Sequence, residues 1–133
     1  MAGYTLVNLN EVEDLAPKFG LTDFEARFAT VPLELQKSGI SLQRYGPGVR
    51  LPFGHKHDQQ EELYVVVSGS GRIKLNDEVV ELKQWDAVRI PGDTMRNFQA
   101  GPEGAELLAF GAPNTGPSVA ADVLEQVPGW WSD

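Results

Sequence analysis

The chain has two histidines among its 133 residues, and they stand two apart, at His55 and His57. Two histidines scattered at random would fall at that spacing about 1–2% of the time, by counting positions. In an extended strand, residues i and i+2 share a face, roughly 6.5–7 Å apart along the chain. Two imidazoles so placed can converge on one ion, each ~2.1 Å from it. A metal needs further ligands, and Glu61 and Glu62 follow closely. Glu62 is the better placed: it precedes the apolar run at residues 63–67 and faces inward with Tyr64 and Val66 if that run is a strand. Two histidines and one carboxylate, with open positions, is the donor set of many redox and Lewis-acid sites. The competing reading is two solvated histidines in a polar turn. Pro52-Phe53-Gly54 before the pair and the apolar run after it place the pair near a core.

The elements that must carry these residues read as short strands. The 14 glycines and 9 prolines fall at intervals and form no linker. Residues 4–9 are expected as an edge strand and residues 10–22 as a loop with a helical turn. Residues 23–30 alternate, with Phe24, Ala26 and Phe28 on one face and Glu25 and Arg27 on the other, the mark of a half-buried strand. Residues 40–45 alternate again up to Gly46-Pro47-Gly48. Residues 63–67 read as a buried strand ended by a tight turn at Gly69-Ser70-Gly71. Residues 72–75 and 78–82 flank Asn76-Asp77 as a hairpin, and residues 87–90 stop at Pro91-Gly92. Residues 96–100 and 106–110 are expected as another pair across Gly101-Pro102-Glu103-Gly104. Val66, Val88, Ile90, Phe98 and Phe110 are the expected core. Strands of this length and spacing argue for an all-β barrel or sandwich.

Composition narrows the classes. The length suits one domain able to close a core without staples. There are no cysteines, which removes disulfides, thiolate metal sites and cysteine nucleophiles, and fits a cytoplasmic protein. A net charge of −8 repels nucleic acid and anionic membranes, so neither is expected as a partner; solubility accounts for the acidity. Residues 1–7 show no basic, apolar leader, and no apolar stretch approaches the ~20 residues of a membrane span. Neither a Ser/His/Asp arrangement nor a phosphate-cradling glycine loop is present. Asp86 and Asp93 resemble paired carboxylates, but their setting fits turns better.

The run Gly48…His55-Lys56-His57…Glu62…Gly69 resembles the first motif of the cupin superfamily. Four residues separate His57 from Glu62 and six separate Glu62 from Gly69, as in that motif, while Gly48 to His55 is one residue longer. The second motif survives in part. Asp86 and Pro91 sit where expected, Trp85 replaces the first glycine, and Asp93 holds the later glycine position. Arg96 stands where the motif has its fourth metal ligand, a histidine, and Ala100 where it has asparagine. The likeness covers roughly residues 35–112, and the whole chain resembles small single-domain bacterial cupins. It implies a double-stranded β-helix, or jelly-roll barrel, at residues 35–112, with an arm at 1–34 and a tail at 113–133. It further implies a divalent metal (Fe, Mn, Ni or Zn) on His55, His57 and Glu62 at the barrel mouth, a small-molecule ligand, chemistry of the oxygenase or isomerase type, and a homodimer paired through edge strands.

Arg96 divides the readings, because a guanidinium stays protonated and has no lone pair for a metal. It either sits beside the metal and holds an anionic ligand, or pairs with Glu62 in a metal-free binding or sensor module, or points outward from a structural barrel whose site has decayed. Gln43, Tyr45 and Tyr64 alternate toward the expected interior, where they either orient a ligand or simply pack. Trp130-Trp131 is expected to cap the barrel or join a dimer interface.

Overall fold

The computed structural model describes residues 3–116 and 119–133. Met1-Ala2 of the leader reading and Pro117 of the tail turns lie outside the described residues. The strands are β1 (Phe24–Phe28), β2 (Gly39–Tyr45), β3 (Phe53–His57), β4 (Glu61–Leu75), β5 (Glu78–Lys83), β6 (Ala87–Ile90), β7 (Arg96–Ala112) and β8 (Val123–Pro128). Three short 3-10 turns, Leu9–Glu11, Ala16–Phe19 and Val119–Asp122, are the helical content of the described residues. The strands form one antiparallel curled sheet in the order β1-β2-β7-β3-β8, with β4 joined to β5, β6 and β7. This is a jelly-roll barrel, as the residues led us to expect. The strand β1 from the arm and β8 from the tail extend the sheet beyond residues 35–112 on both sides.

Two long strands, β4 and β7, form the spine. The first half of β4 pairs with the second half of β7 (Glu62 with Gly111, Tyr64 with Ala109), and the halves then exchange, with Ile73 opposite Phe98. Between them the register shifts at Val66/Ser68 and Gly69/Gly71. The glycines expected to end strands therefore do not. Gly69-Ser70-Gly71 and Gly101-Pro102-Glu103-Gly104 lie within β4 and β7, where they bend continuous strands around a barrel corner. Gly69 (φ 75°) and Gly104 (φ 80°) meet there so closely that a Cβ on Gly69 would lie 2.1 Å from the Gly104 carbonyl oxygen. The Asn76-Asp77 hairpin forms as expected, with Asn76 in the left-handed region at φ 52°.

Two other expectations are corrected. Residues 4–9 form no strand: Tyr4 and Leu6 are 76% and 85% exposed and no neighbouring strand takes up their backbone groups. Phe110 is half-buried, on the outer side of β7, while Val66, Ile90 and Phe98 are buried in the main cluster with Val88 packed at its edge. Trp85 occupies the motif's glycine position at φ 72°, a conformation that costs a side chain about 1–2 kcal/mol. Its ring lies largely in solvent, so no packing clash adds to that cost. Trp131 is buried in its own chain, under Arg50 and Arg72 at 4.2 and 5.1 Å from the ring centre, and Trp130 lies against Gly54 with Lys74 over its ring. The pair seals the outer wall of the barrel.

Candidate metal centre and ligand pocket

Period-two alternation on β3 turns Phe53, His55 and His57 toward the interior, and the register shift opposite Lys56 and His57 is taken up by β8. Directly across the β3–β7 pairing, His55 faces Arg96. Glu62, at the start of β4, lies between Gly111 and Ile90 in register. Everything converges on one carboxylate oxygen. Glu62 Oε1 is 3.2 Å from His57 Nε2, 3.8 Å from His55 Nε2 and 3.2 Å from Arg96 Nη1, and the Tyr64 hydroxyl donates to it at 3.5 Å. His57 is 3% exposed and Arg96 1%, so the cluster is withdrawn from bulk water. Arg96 does not point outward. Besides touching Glu62 it donates from Nη2 to the Pro91 carbonyl at 2.8 Å, which fixes both ends of the guanidinium.

The electrostatics follow from this crowding. Burial by itself raises the Glu62 carboxyl, but the adjoining His55 and His57 rings and the Arg96 charge outweigh it and hold Glu62 well below the usual carboxylate range. Burial lowers His55, with Glu62 opposing and Arg96 and His57 adding to the fall, so His55 favours its neutral form. Burial and the Glu62 charge push both Tyr45 and Tyr64 up, which keeps both hydroxyls protonated.

The donor set fits a cation. One donor atom each from His55, His57 and Glu62 lies within 4.8 Å of the others, close to the ~4.2 Å that two ligands can span across one ion at ~2.1 Å. Both ring nitrogens of His57 are buried without a hydrogen-bond partner, although Nε2 points at a carboxylate 3.2 Å away. Such atoms are rare in folded proteins, and an imidazole lone pair aimed at a shared metal accounts for Nε2.

Gln43, Tyr45 and Tyr64 line the same cavity as the cluster, but differ in how freely they face it. The Tyr45 hydroxyl donates to Gln43 Oε1 at 2.9 Å, and its ring stacks edge-on between Phe24 and Phe98. Gln43 Nε2 donates in turn to Ser41 Oγ at 3.3 Å. Of the three, only Tyr64 reaches the cluster, through Glu62. Asp86 accepts from the Lys83 amide, a turn contact, and Asp93 is exposed, so the two form no carboxylate pair.

One residue of the site escaped the sequence reading. Asp122, in the 3-10 turn before β8, sits with Oδ2 3.4 Å from His57 Nδ1, on the side of the ring away from Glu62. It also accepts from the backbone amides of Gln59 and Gln60, and so pins the loop between His57 and Glu62. The local signal was weak, because Val123-Leu124-Glu125-Gln126-Val127 shows no period-two alternation. Nothing local says that this segment returns to β3.

The barrel, the corner glycines and the histidine-glutamate cluster define a class, and the sequence agrees. The Cupin domain family model matches residues 41–111, more than half of the chain, and the chain belongs to that family. It is similar to a cupin protein from Bacteroides fragilis, at 23% identity and a TM-score of 0.71, over 94% of this chain and 99% of that one. It is also similar to a single-residue variant of oxalate decarboxylase from Bacillus subtilis, at 18% identity and a TM-score of 0.76, over 94% of this chain and 33% of that one. A third similar structure is a cupin sugar phosphate isomerase from Silicibacter pomeroyi, at 18% identity and a TM-score of 0.65, over 82% of this chain and 76% of that one. At these identities the likeness establishes the fold. No curated protein sequence matches the chain. No helix among the described residues is long and apolar enough to cross a membrane.

Proposed function

We propose that this cupin binds a small organic anion in its barrel mouth, with a divalent transition metal (Fe, Mn, Ni or Zn) on His55, His57 and Glu62 and with Arg96 holding the anionic end of the ligand beside it. The observation that carries this reading is the convergence of three donor atoms within 4.8 Å around a buried His57 whose ring nitrogens make no hydrogen bond. When bound, the metal supplies a Lewis acid with open positions. The chain's own residues do the rest. Arg96 spends two of its five N–H donors on Glu62 and Pro91 and keeps the others, Nε among them, for an anion. Tyr64 supplies a protonated hydroxyl beside Glu62, and Gln43 holds Tyr45 in place. Asp122 orients the His57 ring. An oxygenase- or isomerase-type reaction is the enzymatic form of this reading, and a cytoplasmic homodimer paired through edge strands is its cellular form. The absence of cysteine is the support for the compartment.

A second reading has its own support. Arg96 Nη1 lies 3.2 Å from Glu62 Oε1, and a guanidinium there can neutralise the carboxylate as a cation would, leaving a metal-free binding or sensor pocket. Elemental analysis of protein purified without added metal separates the two. The metal reading expects close to one equivalent, lost in His57→Ala. Less than about a tenth of an equivalent, with no uptake of Fe, Mn, Ni or Zn, would leave the Arg96–Glu62 pair as the occupant. Arg96→His restores a fourth donor and is expected to tighten metal binding.

A further inference from the structure

The cavity above the cluster measures about 480 Å³, within the range of about 300–1,000 Å³ typical of pockets that enclose ligands much larger than a two-carbon diacid. Its size has a cause in the sequence. At the interior positions of β2 and β7 beside Glu62 stand Gly39, Ser41, Ala109 and Gly111, and a Cβ on Gly39 or Gly111 would press on the side chains of Thr30 or Gln60 that line the same space. The far wall is apolar: Phe24 and Phe28 on β1, Phe53 on β3, and Leu21 from the arm.

Several polar groups in that lining are already used within the protein. Gln43 accepts from Tyr45 and donates to Ser41; Thr30 accepts from the Ile40 amide; Asn114 donates to the Leu35 carbonyl and accepts from the Gly116 amide; Gln60 donates to the Pro113 carbonyl. The buried unpartnered atoms of His57 and Arg96 lie instead at the base. A ligand rich in hydroxyls would lose its hydration against phenyl rings and find few free partners, so each group left unpaired would weaken binding. An oxalate-sized anion would satisfy Arg96 and leave the apolar wall wet.

We propose that the ligand is an amphiphilic carboxylate: a single carboxylate at Arg96 and the metal position, joined to an aromatic or branched hydrocarbon body that lies against Phe28 and Phe53. This rests on the anion-binding reading above and adds the chemistry of the part that does not react.

Isothermal titration of the purified protein with four probes tests it: 3-phenylpropionate, its uncharged analogue 3-phenylpropanol, oxalate and glucuronate. The expected result is that 3-phenylpropionate binds at least tenfold more tightly than each of the others. Oxalate or glucuronate binding as well or better would overturn the amphiphile and leave the anion-binding reading intact. Equal binding of 3-phenylpropanol would overturn both, since the carboxylate would then have no anchor, as would failure of all four to bind. Phe28→Asn, its fold checked by its melting transition, is expected to weaken 3-phenylpropionate at least tenfold with oxalate binding unchanged. No change for 3-phenylpropionate would remove the apolar wall from the site.

Discussion

At the closed end of the barrel the interior is filled by Val66, Ile73, Leu82 and Leu107, with Tyr45 and Phe98 between them and the cavity. Toward the mouth the same sheet turns to Gly39, Ser41, Ala109 and Gly111, with two histidines, a glutamate and an arginine in the space so left. Each large side chain at the closed end stabilises the fold by about 1.5–3 kcal/mol on burial. Each ion withdrawn from water at the mouth costs several kcal/mol before its partners offset it. The mouth therefore stands on the closed end, and β4 and β7 run through both. A barrel that must keep a polar cavity open does so by concentrating its bulk at the other end of the same strands.

Substitutions at the two ends should then differ in kind. The largest effect is expected from Phe98→Ala, which removes a ring stacked on Tyr45 and should lower unfolding free energy by about 3–5 kcal/mol in a denaturant melt. A loss below about 1 kcal/mol would show that the closed end does not carry the fold. Next is Asp122→Asn, in which Oδ1 can still accept from the Gln59 and Gln60 amides but the charge behind His57 is gone. Metal affinity, read by competition with a chelating dye, should fall about 10–100-fold with little change in melting temperature. Ala109→Leu should fill the mouth: binding of 3-phenylpropionate disappears, at a stability cost of about 1–3 kcal/mol because Ala109 also packs in the core cluster. Retained binding would place the ligand elsewhere.

The smallest effect lies on the outer wall between the two ends. Glu106 accepts from Ser68 at 2.7 Å and pairs with Arg44 at 2.6 Å, and these contacts hold its carboxyl below the usual range. A depressed folded-state acid contributes stability above its ordinary pKa of 4.5 and loses it as pH falls through the lower folded value. Wild type should exceed Glu106→Gln by under ~1 kcal/mol near neutrality, with the gap closing in acid. A gap unchanged in acid would show that ionisation of Glu106 is not its source.

How much of this was readable depended on whether the signal was local. His55, His57 and Glu62 lie within eight residues, and their spacing was enough to bring them together. The Asn76-Asp77 hairpin and the buried Val66, Ile90 and Phe98 likewise follow from alternation within single strands. The corner glycines were misread because a glycine with positive φ looks the same in sequence whether the chain reverses there or bends onward. Only the pairing of β4 with β7 decides, and that pairing is long-range. Residues 4–9 are apolar enough for an edge strand but have no neighbour to bond. Arg96 was visible as a departure from a motif, yet its orientation depended on the Pro91 carbonyl and Glu62 meeting it from two other elements. Asp122 is the extreme case, a site residue whose partner lies far back along the chain.

That placement has a consequence for how the site is watched. β8 is an edge strand held by β3, and Asp122 stands at its root with its side chain against the His57 ring and the 58–60 loop. Edge and terminal segments open at the lowest free energy in most folds. Any ion or ligand that favours the seated His57 must then also favour the seated tail, by the reciprocity of linked equilibria. Backbone amide exchange at Val123–Pro128, well away from the reactive groups, thus becomes a spectator gauge of occupancy: slow when the mouth is filled, fast when it is empty.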